Sequence, residues 1–171
     1  MIRLEHPHSI KVMRLLAVFH EAKGEMDKAQ NILLDLIEQN PLDKQSTKRL
    51  VALYRDMHLH GEAIALLNKF VELNQQDQES WLELADMYHS QQNYAKAIHC
   101  YEEIMIRQPK NYHVALKYGE LLYSTRRDRL EDMTNARKYF MLASLTKGTD
   151  NKPPVRALFG IIKATKAIQQ L

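Results

Sequence analysis

Apolar and polar positions follow each other along most of the chain with the period of an amphipathic helix. Within residues 77–111, Trp81, Leu84, Ala85 and Tyr88 are spaced i, i+3, i+4, i+7, which places them on one face of a helix. The matching face of a second helix is predicted from Ala97, Tyr101 and Ile104. Small residues on both faces let two helices approach closely, and the segment therefore predicts a packed helix–turn–helix pair.

This pattern recurs at a step of 34 residues. The positions that keep the step include Ala29, Ala63 and Ala97; Leu16, Leu50, Leu84 and Tyr118; His20, Tyr54, Tyr88 and Leu122; and Leu33, Leu67 and Tyr101. Asp43, Asp77 and Asn111 close each unit and are placed to cap the next helix with a side-chain oxygen. A 34-residue helix–turn–helix period is typical of tetratricopeptide repeats. The predicted fold is all-α, a right-handed solenoid of these repeats.

The period also predicts how the chain is divided. We expect residues 1–171 to form a single repeat domain with units at about 10–43, 44–77, 78–111 and 112–148, followed by a terminal helix over 155–171. The fourth unit is longer, since Ala136 lies 39 residues after Ala97. The five added residues are expected between its two helices, within STRRDRLEDMTN, and TKGTDNKPP is expected to be a loop. Val155, Leu158, Phe159 and Ile162 share one face of the terminal helix.

Both ends of the predicted array lack a neighbour. MIRLEHPHS resembles the tail of an earlier element, and no helix follows the terminal one. Because an open solenoid end exposes a stacking face, we expect the chain to be part of a longer protein or its ends to be covered by a partner.

Composition narrows the class of protein. The formal net charge is +3 with a pI near 8.9, and basic and acidic residues are interleaved, so a nucleic-acid binder is disfavoured; RNA binding remains a minor alternative. The single cysteine excludes an intrachain disulfide and fits a reducing compartment. There is no signal-like segment, and the longest apolar runs are five residues, against the roughly 20 that a membrane span needs. The sequence predicts a soluble protein that meets membranes only through partners.

The residues that resemble active-site material have simpler interpretations. Trp81 occupies a helix-packing position and is expected in the core. Cys100 is expected to be a small buried or half-buried hydrophobe. Two H-x-H pairs, His6–His8 and His58–His60, lack the further ligands of a structural zinc site, and the glycines form no phosphate loop. The sequence predicts no catalytic residue, no metal site and no cofactor; the protein is expected not to be an enzyme.

A repeat array of this kind presents the first helix of each unit as a concave, partner-binding surface. The inward positions predicted by the register are Lys11, Arg14, Val18, Glu21, Gln45, Lys48, Ala52, Arg55, Glu79, Leu82, Asp86, His89, His113, Leu116, Glu120 and Tyr123. The residues expected to contact a partner segment are Lys11, Arg14, Lys48, Arg55, Leu82, Asp86, His89, Leu116, Glu120 and Tyr123. Val18, Ala52 and Asp86 stand where the chaperone-binding members of the repeat family carry asparagine, and Asp86 would repel a carboxylate, which argues against a chaperone clamp.

Four segments carry a more specific likeness: DQESWLELADMY (77–88), NYAKAIHCYEEIM (93–105), ARKYFMLA (136–143) and RALFG (156–160). With the lengthened fourth unit, they make the chain similar, from about Leu4 to Ile168, to the family of subunit 2 of the endoplasmic reticulum (ER) membrane protein complex. The resemblance implies a cytosolic, non-catalytic scaffold that contacts membrane-embedded and soluble subunits of an insertase for tail-anchored and multipass membrane proteins. The alternative is a general tetratricopeptide-repeat adaptor or cochaperone in another assembly.

Overall fold

A computed structural model describes residues 9–125, 129–146 and 154–171. These residues form helices without strands: α1 (Ile10–Ala22), α2 (Met26–Gln39), α3 (Lys44–Asp56), α4 (His60–Leu73), α5 (Gln78–Ser90), α6 (Tyr94–Arg107), α7 (Tyr112–Thr125), α8 (Leu130–Thr146) and α9 (Val155–Gln170). The predicted all-helical repeat fold is confirmed. The amino-terminal tail with His6 and His8, residues 126–128, and residues 147–153, which make up most of the predicted loop TKGTDNKPP, lie outside the described residues.

The chain divides into two compact units, Met1–Ser80 and Trp81–Leu171. Unit 1 contains α1 to α4, and unit 2 contains most of α5 together with α6 to α9. Each of the first four helix pairs lies within its expected repeat range, and that residues 1–171 form a single domain stays a prediction.

The predicted caps between repeats are confirmed. The amide of Gln45 donates to the Asp43 carboxylate (3.2 Å), and that of Ser80 to the Asp77 carboxylate (3.2 Å). The amide of Val114 donates to the Asn111 side-chain oxygen at 3.3 Å. Each cap satisfies a backbone N–H that the start of a helix leaves unpaired, so the closing residue of one unit fixes where the next begins.

The turn inside each of the first three units has one geometry. Gly24, His58 and Gln92 adopt left-handed φ values of 79°, 60° and 60°, at the 34-residue step of the sequence. In each turn the amide of the following residue donates to a carbonyl five residues back, as Asn93 does to Tyr88 at 2.9 Å. This is the Schellman ending of a helix. This ending allows the two helices of a unit to be joined by only three residues. The turn predicted at 91–93 is confirmed.

The core of each unit is built from the positions that carry the repeat. Ala17, Ala29, Leu33, Leu50 and Val51 are fully buried in unit 1. Their equivalents are buried in unit 2, together with residues of the fourth repeat: Leu84, Ala85, Ala97, Tyr101, Ala115, Met133 and Ala136. The alanines admit close helix approach, and the larger side chains fill the space between the helices.

The lengthened fourth unit differs from its prediction. Residues 130–135 are helical, so most of the insertion does not lie between the helices. The signature alanine is the fourth residue of α2, α4 and α6, whereas Ala136 is the seventh of α8. Three of the five added residues therefore lengthen the second helix at its start. Two acidic residues in its first turn, Glu131 and Asp132, suit the positive end of a helix.

One packing prediction also needs correction. Trp81 is half-buried rather than in the core. Its ring lies beside two polar side chains, His99 (6.5 Å between ring centroids) and Arg107 (5.8 Å from guanidinium to ring). The predicted terminal helix is confirmed as α9. Its small residues Ala157 and Gly160 pack inward, and the large apolar residues that share its other face are exposed.

Candidate functional site

In unit 1, the Arg14 side chain is bound by polar side chains at the start of α3. Its guanidinium donates to both oxygens of Asp43 (2.6 and 2.7 Å), to the Ser46 hydroxyl (3.1 Å) and to the Gln45 side chain. Burial on its own would raise the pKa of Asp43, yet the hydrogen bonds from Arg14 and Ser46 and the guanidinium charge keep that pKa below its usual value. Arg14 thus ties α1 to the start of α3 rather than projecting as a free cation.

A second group of ion pairs lies at the other end of unit 1. Lys44 contacts Asp77 (2.5 Å) and Glu79 (2.7 Å), and Lys48 contacts Glu79 at 2.6 Å. The two lysine hydrogen bonds lower the pKa of Glu79 to about 2. Lys48 of α3 is therefore paired with Glu79 of α5, the first helix of the next repeat.

Two of the four cations of the basic patch predicted on unit 1 are already paired with carboxylates of the chain. Lys11 and Arg55 are exposed, whereas Arg14 and Lys48 are half-buried and paired with carboxylates.

In unit 2, three of the predicted residues line one pocket. Asp86 and His89 of α5 and Glu120 of α7 surround a cavity of about 370 Å³ with Tyr101 and Lys117. The Lys117 ammonium lies 2.9 Å from the Asp86 carboxylate, and the Tyr101 hydroxyl donates to the same carboxylate at 3.2 Å. Burial, with the negative charge of Asp86, raises the pKa of Tyr101, so the phenol stays a neutral donor at the base of the pocket.

Two predicted residues line a second pocket of unit 2. Glu120 and Tyr123 border a cavity of about 390 Å³ with Phe140 of α8 and with Arg156 and Phe159 of α9. The Arg156 guanidinium donates to both oxygens of Glu120, at 2.5 and 3.0 Å. The cavity therefore has an aromatic floor and a charged rim.

The remaining predicted residues do not share one environment. Leu82 is half-buried. Leu116 is only 6% exposed, so its expected role as a surface anchor is wrong: its side chain belongs to the core of unit 2. Its position fits the repeat register, but α7 buries a wider face than the first helices of the earlier repeats.

Sequence reasoning missed the partners of the site residues. Tyr101, Lys117 and Arg156 were not among the predicted contacts, although each bonds one of them. Lys117 precedes Glu120 by three residues on α7, and its charge is opposite to that of Asp86 one repeat earlier. Opposite charges on the first helices of two successive repeats would have predicted the Asp86–Lys117 pair.

The described part of the chain offers few groups suited to nucleophilic catalysis or metal binding. Cys100 is buried, as expected, and burial raises the pKa of its thiol to about 12, which keeps it protonated and unreactive. Among the described residues no group of three or more His, Cys, Asp or Glu side chains could hold a metal ion. No described helix combines the length and the apolar character that crossing a bilayer requires.

Comparison with known proteins identifies the family. The model of the EMC2 TPR-like repeat domain matches residues 6–127. The chain belongs to this family. It is 33% identical over 160 residues to ER membrane protein complex subunit 2-B of Xenopus laevis, covering 94% of this chain and 52% of that protein. It is 31% identical over 104 residues to ER membrane protein complex subunit 2 of Dictyostelium discoideum, covering 61% and 32%.

The predicted resemblance to subunit 2 of the complex is thus confirmed, and this EMC2-family chain spans about half the length of the Xenopus relative it matches. A solved tetratricopeptide repeat protein from Parabacteroides merdae superposes with a TM-score of 0.70 at 16% identity, covering 94% of this chain and 60% of that one. That likeness concerns the fold alone.

Proposed function

We propose that the chain is the repeat region of a non-catalytic scaffold subunit of an ER membrane protein complex. In this proposal it lies on the cytosolic face of the ER membrane, attached through other subunits, in a complex that inserts tail-anchored and multipass membrane proteins. The observation that carries the proposal is the family match over residues 6–127, together with 33% identity to subunit 2-B over 94% of the chain.

The geometry supports a binding role rather than catalysis. Four carboxylates of the first helices, those of Glu21, Glu79, Asp86 and Glu120, are paired with cations of the same chain, and Asp86 also accepts a hydrogen bond from a phenol, Tyr101. The thiol is buried. Such groups stabilise a surface, and they are not placed as an acid–base pair around a free reacting atom.

A partner segment would be held at several shallow points. In unit 2 the two cavities, of about 370 and 390 Å³, are each large enough for one or two side chains. Asp86 and His89 would meet polar groups of the partner, and Tyr123 would offer an aromatic contact. In unit 1 Lys11 and Arg55 would meet acidic groups. A few such anchors commonly supply most of the binding energy of an interface.

The alternative is an adaptor or cochaperone of another assembly with the same fold. Asp86, at the position where a carboxylate clamp needs an amide, does not favour a chaperone tail as its ligand. The partners retained by the full-length protein distinguish the two functions.

The surface part of the proposal is tested by reversing the two exposed cations. We expect the tagged full-length protein with Lys11→Glu and Arg55→Glu to retain about fivefold less of at least one complex subunit, the effect of losing roughly 1 kcal/mol of binding. Lys69→Glu, an exposed reversal on the second helix α4, is the matched control. Circular dichroism should be unchanged in both proteins. Equal recovery of all subunits from both variants would remove the basic face of unit 1 from the proposal.

A further inference from the structure

The pocket between α5 and α7 combines charges of both signs, and every residue that lines it belongs to unit 2. Asp86 of α5 faces Lys117 and Glu120 of α7 across a cavity of about 370 Å³, and Tyr101 of α6 lies at its base. Both α5 and α7 are followed in the chain by described helices, α6 and α8. The pocket is therefore a feature of the interior of the repeat array.

The negative charge of the pocket has a fixed position. The Tyr101 hydroxyl donates to the Asp86 carboxylate at 3.2 Å, and the Tyr101 side chain is only 3% exposed. Burial, and then the charges of Asp86 and Glu120, raise the pKa of Tyr101, so the phenol keeps the proton that it donates. Because a buried ring is held by its packing, Tyr101 holds in place a carboxylate whose side chain remains 56% exposed.

The positive charge of the pocket is carried by a flexible side chain. The Lys117 ammonium lies 2.9 and 3.2 Å from the two oxygens of Asp86, and the Lys117 side chain is 49% exposed. An ion pair that is so exposed contributes little to stability, and lysine carries its charge on a stem with four rotatable carbons. Lys117 can therefore leave Asp86 at little cost when another cation takes its place.

The lining of the pocket favours an organic cation as its ligand. A carboxylate or phosphate would enter between Asp86 and Glu120, and the cation that lines the described pocket, Lys117, is already paired. A metal ion is not favoured, since no three potential ligand side chains cluster among the described residues. The long stem of a lysine or arginine could lie against Leu121, which also lines the cavity, while its charged end reaches the carboxylates.

We propose that this pocket binds a lysine or arginine side chain of a partner protein, which displaces Lys117 from Asp86. In the free protein Lys117 occupies the position of the partner's cation and keeps the carboxylate paired. The inference rests on the proposed function, because a scaffold subunit must contact other subunits and the inference names the side chain that one of its sites recognises.

Displacement of Lys117 predicts opposite effects for two substitutions in the pocket. Asp86→Asn removes the charge that attracts the partner's cation and should lower binding at least fivefold, whereas Asp86→Glu should restore it. Lys117→Met removes the competing cation and should raise binding at least twofold. If the ion pair served only to tie α5 to α7, Lys117→Met would lower binding as well. The control is Lys28→Met, which removes an exposed lysine paired with Glu25 far along the chain in unit 1.

Binding is measured by photo-cross-linking in the tagged full-length protein. A lysine analogue that carries a diazirine replaces Ser124, an exposed residue that lines the pocket. Detergent-solubilised membranes are irradiated, the tagged protein is purified, and the attached segment is sequenced by mass spectrometry. We expect a segment of another protein with Lys or Arg within four residues of the attachment point, and a cross-link yield that follows the order of the variants. If Asp86→Asn lost its helical circular dichroism, the yield with Lys117→Met would still decide.

The other outcomes overturn the inference in distinguishable ways. Attachment to another part of the same protein shows that the protein fills its own pocket, and attachment to a segment without basic residues refutes the recognition of a cation. A yield that Lys117→Met lowers or leaves unchanged refutes the displacement. If membrane subunits are recovered without any cross-link at position 124, this inference fails and the proposed function stands. If no membrane subunit is recovered, the proposed function fails, and a cross-link to a basic segment of a soluble partner would still support the pocket.

Discussion

At the scale of single residues, the carboxylates between repeats have two tasks. Asp43 caps α3 and accepts two hydrogen bonds from Arg14, and Asp77 caps α5 and accepts one from Lys44. One side chain thus both starts a helix and ties it to the first helix of the preceding repeat. The sequence predicted the first task from the position of an aspartate; the second depends on a cation about 30 residues away and needed coordinates.

These carboxylates make the stability of unit 1 sensitive to acid. The folded-state pKa of Asp43, of Asp77 and of Glu79 lies below the ordinary value. Their contribution to stability is therefore present above the unfolded-state pKa of about 4 and is lost as pH falls through the lower folded-state values. We expect the melting temperature to fall steeply below about pH 4, measured by circular dichroism.

Substitution of Asp43 tests the origin of that loss. Asp43→Asn keeps a capping oxygen but removes the charge that faces Arg14, and we expect it to cost about 1.5–3 kcal/mol at pH 7 and to flatten the acid dependence. Asp56→Asn, at an exposed position, should change stability by less than about 0.5 kcal/mol. Equal acid curves for wild type and Asp43→Asn would refute the role of the Arg14 pair.

The glycines around Phe140 give a second residue-scale test. Alanine normally favours a helix over glycine by about 1 kcal/mol, but a Cβ at Gly160 would stand 2.6 Å from the buried Phe140 ring. We expect Gly160→Ala to destabilise the protein by about 1–3 kcal/mol and Gly119→Ala, with its 3.1 Å approach, to cost less. Gly61→Ala, where nothing lies within 4 Å, should be neutral or stabilising. Denaturant unfolding measures the order, and a stabilising Gly160→Ala would contradict the packing.

At the scale of elements, the repeat period predicted the helix pairs well because the same physical need recurs in each. Small residues such as Ala97 must lie where two backbones approach, and a cap such as Asn111 must precede the next helix. The lengthened fourth unit could not be predicted so well, since five extra residues can be accommodated by a loop or by helix without changing the spacing of the core. Trp81 was misplaced because burial depends on neighbours such as Arg107 that its own spacing does not specify.

A pair of proline substitutions tests the lengthened helix. Residue 134 lies inside α8, where proline would remove the hydrogen bond to the carbonyl four residues earlier, and we expect Thr134→Pro to cost about 3 kcal/mol or more. Leu130→Pro, at the first residue of α8, should be tolerated, because that position needs no backbone donor. Thermal unfolding distinguishes them. If both substitutions lowered the stability only slightly, residues 130–135 would be a loop rather than part of α8.

At the scale of the whole molecule, the sequence supplied the family and much of the surface, but not how the surface is used. Of the predicted contact residues, Lys11, Arg55 and His89 are exposed. Arg14, Lys48, Asp86 and Glu120 hold neighbouring helices together, and Leu116 is core. The position of a residue in the repeat predicts which helix face it lies on. Whether it forms an ion pair depends on the charges that the neighbouring repeat places beside it.

The apolar face of α9 was anticipated at this scale. The sequence predicted an array whose terminal helix lacks a neighbour, and in the structure Phe159 is 58% exposed.

The central claim, that the protein is a scaffold subunit of a membrane complex, is tested most directly by its retained partners. The measurement is affinity purification of the tagged full-length protein from gently solubilised membranes, with identification of every protein that stays bound. We expect a stable assembly with several membrane-embedded subunits in constant proportion to the tagged chain. Recovery of soluble chaperones or ribonucleoprotein alone would leave the repeat fold intact and contradict the scaffold function.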